Sequence, residues 1–279
     1  MRINTNINSM RTQEYMRQNQ DKMNTAMNRL SSGKSINSAA DDAAGLAIAT
    51  RMRAKEGGLN VGARNTQDAM SALRTGDAAL GSVSNILLRM RDLATQAANG
   101  TNNDNDIASM DKEYQALAAE IDHIADKTNF NGNTFLNKGA KGTDIVIQLS
   151  DTSKDTMKIE AIDTKAITTT TLATATGTGA NKNLTATSAP DEIKALDTAI
   201  QEIADARATF GSQLNRLDHN LNNVTSQATN MAAAASQIED ADMAKEMSEM
   251  TKFKILNEAG ISMLSQANQT PQMVSKLLQ

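Results

Sequence analysis

Eleven apolar residues spaced alternately three and four apart constrain this chain more than any other feature. They run from Ile193 through Leu196, Ile200, Ile203, Phe210, Leu214, Leu217, Leu221, Val224 and Ala228 to Met231, interrupted once by Arg207. Such spacing predicts a helix packed along a seam, and about 40 residues at about 1.5 Å each make it about 60 Å long. Two shorter seams precede it: Leu73, Leu80, Val83, Leu87, Met90, Ala94 and Ala97, then Ile107, Met110, Tyr114, Leu117, Ile121 and Ile124. The polar link "ANGTNNDND" between them suits an antiparallel connection. The expected fold class is therefore mainly α, an elongated antiparallel, coiled-coil-like helical bundle.

Composition agrees with that reading. Aromatic residues are 2% of the chain, tryptophan and cysteine are absent, and Pro190 and Pro271 are the two prolines. Compact enzymes draw on more aromatic bulk for their cores, whereas long helices side by side need little. Between the second and third seams the period changes to two in "DIVIQLSDTSKDTMKIEAI", which predicts a β-hairpin of Ile145 to Leu149 and Met157 to Ile162. A Thr/Ala/Gly-rich connector follows, and Pro190 is placed in the first turn of the long helix.

Both ends are amphipathic yet polar. Ile3, Ile7, Met10, Met16, Met23, Met27 and Leu30 have near-helical spacing, as do Met243, Met247, Met250, Phe253, Leu256, Leu264 and Ala267, continuing to Val274, Leu277 and Leu278. A lone helix of that kind is marginal in water, so partners from neighbouring copies would order it. Residues 1–60 hold nine Lys/Arg and five Asp/Glu, against seven and twelve in residues 190–279. That asymmetry fits either solvated faces or two ends lying against each other.

No catalytic residue, cofactor site or metal site is predicted. Gly33-Lys34-Ser35 ends like a phosphate-binding loop, but Asn28 stands where its first glycine belongs and no strand leads in. Gly33 instead suits a left-handed helix cap, and Ser38, Asp41 and Asp42 suit the start of the next helix. Asn102, Asp104, Asp106 and Glu113 take ligand positions of a calcium loop, yet Ile107 replaces the required glycine and opens a seam. His123 and His219 lie in helical patterns without a nucleophile beside them. No basic patch interleaved with aromatics points to nucleic acid, and no apolar run of about 18 residues points to membrane insertion. The N-terminus lacks a secretory signal core, so the default location is cytoplasmic. The residues leave two functions open, a self-assembling helical protein and a long-helix adaptor or chaperone.

Several long blocks resemble the bacterial flagellins. They are "MRINTNINSM", "NRLSSGKSINSAADDAAGLAIATRMRA", "ARNTQDAMSALRTGDAAL", "RMRDLATQAANGTN" and "EIDHIADKTNFNGNTFL" in the first half. The second half contributes "FGSQLNRLDHNLNNV", "SQIEDADMAKEM" and "ILNEAGISMLSQANQTPQMVSKLL". The hook-filament junction proteins are similar at the termini, and the "QANQTPQMV" block favours flagellin over them. The resemblance implies a filament subunit for swimming motility, located outside the cell and exported by a type III apparatus without a cleaved signal peptide. It implies paired terminal helices, 1–32 with 246–279, as the filament core, disordered in the monomer and folding on assembly. Their assembly residues would be Ile3, Ile7, Met10, Met23, Met27, Leu30, Met247, Met250, Phe253, Leu256, Leu264, Val274, Leu277 and Leu278. Spokes at 33–45 and 236–245 would carry Gly33, Lys34, Asp41, Asp42, Glu239, Asp240 and Asp242. A rod of 46–138 and 190–235 would surround the core, and 139–189 would stand where many flagellins insert an outer domain. Implied partners are further copies of the chain, the export apparatus and its chaperone, and the filament cap and hook-associated proteins. The host Toll-like receptor for flagellin joins them through Arg89, Leu93 and Glu113, beside departures from the family pattern at Leu88 and Asp92.

Overall fold

The computed structural model of the chain describes residues 6–134, 136–137, 144–162, 164, 184–185 and 187–277, with side chains to 269. Among the described residues there are five helices: α1 (Ile7–Ser32), α2 (Ala43–Ala97), α3 (Asp104–Lys127), α4 (Ala189–Glu239) and α5 (Met243–Leu277). Four short strands form two hairpins, β1 (Asn129–Phe130) with β2 (Asn133–Thr134), and β3 (Ile145–Gln148) with β4 (Thr156–Ile159). The chain divides into two compact units, Met1–Glu56 with Thr229–Gln279, and Gly57–Ala228. Both divisions fall inside helices, in α2 and α4.

The second unit holds the large core. The three seams meet there: Leu80, Leu87 and Met90 of α2, Ile121 of α3, and Leu196, Ile203 and Leu217 of α4 are all inaccessible to solvent or nearly so. Each fully buried large side chain contributes about 1.5–3 kcal/mol before chain entropy is subtracted. Arg207, the break in the third seam, is explained by its partner. Its Nε donates to Asp77 Oδ1 at 2.8 Å on α2, a bond that holds the guanidinium pKa above its ordinary value. Arg91 pairs with Asp197 at 2.6 Å, so α2 and α4 run antiparallel. Asn103 caps α3 through a capping box with Asp106, which is the use the structure makes of the near-calcium motif. Tyr114 donates to Glu192 at 3.0 Å in the interior, and burial followed by that neighbouring carboxylate raises the phenol pKa.

The β3–β4 hairpin follows the expected pairing with slightly shorter strands. Ile145 opposes Ile159 and Ile147 opposes Met157, so Ile147, Met157 and Ile159 face the core while Val146 and Lys158 face out. The turn of this hairpin lies on α2 at its glycines. A Cβ on Gly62 would sit 2.4 Å from the Leu149 carbonyl oxygen, and one on Gly58 would sit 2.7 Å from Asp151 Cβ. Asn65 Nδ2 donates to the Gln148 carbonyl at 3.2 Å across the same contact. Gly62→Ala is therefore expected to lift the hairpin off α2 and cost about 1–3 kcal/mol, read as a lower thermal midpoint of the second unit; an unchanged midpoint contradicts the close contact.

The first hairpin was not anticipated. Its turn is Asn131 and Gly132, both at positive φ (51° and 83°), and the Asn-Gly dipeptide is the signal that announces it. Helix α2 begins at Ala43, just after the Asp41 and Asp42 expected at its start, and runs through the 30 residues before the first seam. Pro190 does occupy the first turn of α4, whereas most of the Thr-rich connector lies outside the described residues.

Candidate assembly surface and spoke

In the first unit, α1 and α5 run antiparallel in one continuous register. Asn6 Nδ2 donates to the Ala267 carbonyl at 2.8 Å, and Asn257 Nδ2 donates to Gln20 Oε1 at 2.6 Å. Met16 Cγ lies 2.8 Å from where a Gly260 Cβ would be. Lys22 Nζ lies 5.6 Å from the Phe253 ring centre, and Arg29 donates to Glu246 at 3.3 Å. The same register carries on beyond the helices. Lys34 forms an antiparallel bridge with Asp240, Ser35 N–H donates to the Glu239 carbonyl at 2.6 Å, and Ala241 N–H donates to the Gly33 carbonyl at 3.0 Å.

Two helices alone cannot bury their apolar faces. On α1 the buried residues are Ser9 and Ala26, neither of them a large apolar side chain. Met23, Leu30, Met250, Phe253 and Leu264 are half-buried. Ile7, Met10, Met27, Met247 and Leu256 are exposed at 41–61%, together with Ile255 and Ile261. Ile3 and Leu278 lie outside the described residues, and the side chains of Val274 and Leu277 likewise. Exposed apolar surface on this scale along one element is a mark of a surface made for a partner.

The stretch joining α1 to α2 is built on caps. Gly33 takes φ 71°, the left-handed cap the sequence predicts, and its N–H reaches the Arg29 carbonyl at 2.8 Å. Asp41 accepts the N–H groups of Ser38 at 2.9 Å and Asn37 at 3.1 Å, and those donors hold its carboxyl below the ordinary range. Asp42 Oδ1 accepts the Ala44 and Gly45 N–H groups, each at 3.0 Å, and so caps α2. Asp242 Oδ1 accepts from Ala244 and Lys245 at 3.0 and 3.2 Å and caps α5 in the same way. Asp240 meets Ser236 through its carboxylate.

A buried carboxylate ties the two strands of chain together. Glu239 is 5% exposed and receives Lys34 Nζ at 3.0 Å and Arg53 NH2 at 3.4 Å. The apparent phosphate-loop lysine therefore serves an internal carboxylate. Further along the same register Arg29 faces Glu246, so basic residues of the first segment meet acidic residues of the last one. The charge asymmetry between the ends is in part this set of pairs.

On the second unit, Arg89 Nε donates to exposed Glu113 at 2.8 Å, a bond that raises the Arg89 pKa. Leu93, the third residue of that set, is 2% exposed and belongs to the core. Among the described residues no group of three or more His, Cys, Asp or Glu could hold a metal.

Comparison with known proteins bears on the same segments. Residues 3–141 match the family described as bacterial flagellin N-terminal helical region, and 193–278 match the bacterial flagellin C-terminal helical region. A flagellin of Listeria monocytogenes is 45% identical over 285 residues, covering 100% of this chain and 99% of its own. A flagellin of Bacillus subtilis is 38% identical over 303 residues, covering 100% of both. The crystal structure of Bacillus cereus flagellin is 69% identical with a TM-score of 0.52, covering 62% of this chain and 94% of that one.

Proposed function

Because the chain belongs to the bacterial flagellin family and is a structural subunit of the flagellar filament, we propose that α1 and α5 are the surface through which copies join. The observation that carries this is the row of large apolar side chains those helices leave in water. Each such side chain that a neighbouring copy covers contributes roughly 1.5–3 kcal/mol if it is fully buried. In the free subunit the two helices have little apolar burial to offset their chain entropy, so they are frayed or disordered there and fold as they assemble. Residues 1–32 and 246–279 then form the filament core, 33–45 and 236–245 the spokes, and 46–138 with 190–235 the surrounding rod. Relatives that align end to end as flagellins support this reading over a junction protein or a helical adaptor. The test is seeded assembly of purified chain, followed by sedimentation and electron microscopy. Monomer that persists at every concentration and with every seed rules the reading out.

The reading extends to place and partners. No helix among the described residues is long and apolar enough to cross a membrane. We take export through the flagellar apparatus without a cleaved signal, an export chaperone, and the cap and hook-associated proteins as what family membership implies. A host Toll-like receptor would meet Arg89 and Glu113, the two members of that set that reach the surface.

The spoke gives a sharper expectation. Glu239→Gln removes the anion shared by Lys34 and Arg53, whose own exposure screens part of the loss, so it should cost about 1–2 kcal/mol. The readout is the temperature at which assembled filaments dissociate; a variant that dissociates with the wild type shows that the carboxylate does not hold the spoke.

A further inference from the structure

Among the described residues every exposed methionine lies in the first unit, beside half-buried ones such as Met16, Met23 and Met250. Met10, Met27, Met243, Met247 and Met263 are 61%, 53%, 48%, 55% and 65% exposed, and all five lie on α1 and α5. In the second unit Met70, Met90 and Met157 are 9% exposed or less, and Met110 is half-buried. The chain has no cysteine, so no thiol competes for an oxidant and the thioether is its softest nucleophile. The most exposed methionines are thus confined to one pair of helices, while the methionines that hold up the large core are shielded.

We propose that these five methionines form an oxidation site that controls whether a free subunit can polymerise, with hydrogen peroxide or a related two-electron oxygen donor as the reagent. This rests on the reading of α1 and α5 as the joining surface. The sulfur lone pair attacks one peroxide oxygen; an S–O bond forms as the O–O bond breaks. The sulfur loses two electrons to become a sulfoxide, and the peroxide's other oxygen leaves as water after proton transfer. In the free subunit the new S–O dipole is hydrated, so the second unit is untouched. Covered by a neighbouring copy among Ile7, Ile255, Leu256 and Ile261, the same dipole has no donor and opposes docking. Order matters: peroxide before assembly blocks it, whereas in the filament the sulfurs are covered.

The experiment treats purified full-length subunit with hydrogen peroxide, locates sulfoxides by peptide mass spectrometry, and measures the critical concentration for seeded assembly. The expected rise is about tenfold or more, one uncompensated buried polar group being enough for that, with the thermal midpoint of the second unit unchanged. From partly oxidised material, the polymer should be depleted in sulfoxide at the five positions relative to the remaining monomer. A variant with Met10→Leu, Met27→Leu, Met243→Leu, Met247→Leu and Met263→Leu should show a smaller rise after the same treatment, each protein being compared with its own untreated critical concentration. Oxidised wild type that assembles like untreated protein, or polymer and monomer with equal sulfoxide at these positions, overturns the inference alone. Untreated wild type that never assembles overturns the joining-surface reading, and this inference with it.

Discussion

A chain lacking residues 243–279 is expected to stay monomeric at concentrations and seed densities where the full chain forms filaments, and a chain lacking residues 1–30 likewise. Each deletion removes one member of the α1–α5 pair and leaves the other without the bonds from Asn6 to Ala267 and from Asn257 to Gln20. The remaining helix has an exposed apolar face and no partner, and in water it should not persist. The second unit, by contrast, keeps every residue of its core, from Ala69 to Leu217. Circular dichroism should therefore show a helical protein with a cooperative thermal transition, and electron microscopy should show no filaments. The magnitude is the whole of assembly rather than a fraction of it, and filaments from either deletion would refute a joining surface made of both ends.

Leu217→Asp should have the opposite pattern, destroying the monomer rather than only the polymer. Leu217 is 0% exposed, in the core cluster with Leu73, Leu80 and Phe210. Loss of the leucine costs about 2–5 kcal/mol as cavity and transfer terms, and a carboxylate without a partner adds several more. Domains of this kind hold about 5–15 kcal/mol in total. The expected result is loss of the cooperative transition at room temperature and rapid proteolysis of the second unit. Preservation of the wild-type transition would mean that the α4 seam is not the support of the rod. Together the two experiments separate folding of a subunit from joining of subunits.

The parts of this architecture that sequence reasoning reached are those set by local periodicity. Leu80, Leu87, Ile121 and Leu217 recur at seam spacing because one face of each helix is buried, and burial repeats with the helix. Gly33 was legible for a related reason, since left-handed geometry after a helix has few other occupants. The start of α2 was legible in Asp42, but local spacing does not mark the helix as continuous through Gly57, Gly58 and Gly62, since glycine is a weak helix former. Gly58 and Gly62 are kept helical in a place where the hairpin turn comes too close for a side chain, and that turn is more than 80 residues further on. Resemblance sets Lys34 and Glu239 in the two spokes, but the choice of Glu239 over Asp240 and Asp242, and its sharing with Arg53, were hidden, since these pairs join positions 205 and 186 residues apart. Net charge hinted that the ends attract but could not name partners. The burial of Leu93 shows the limit from the other side: a residue carried over by resemblance as a contact is in the core beside Ala94, although the seam spacing includes only Ala94.

The antiparallel register of α1 with α5 also fixes a sequence of events in time. Asn6 and Ala267, 261 residues apart, must be present together before that pair can close, whereas the hairpins and the α2–α3 turn need only neighbours. Contacts between such distant positions are the slowest to form, and during synthesis this one cannot close before Ala267 has emerged. A nascent chain that stops short of α5 is consequently unable to display the paired helices however long it dwells at the ribosome. Synthesis of α5 thus gates the pairing, because every residue of the second unit precedes it in the chain.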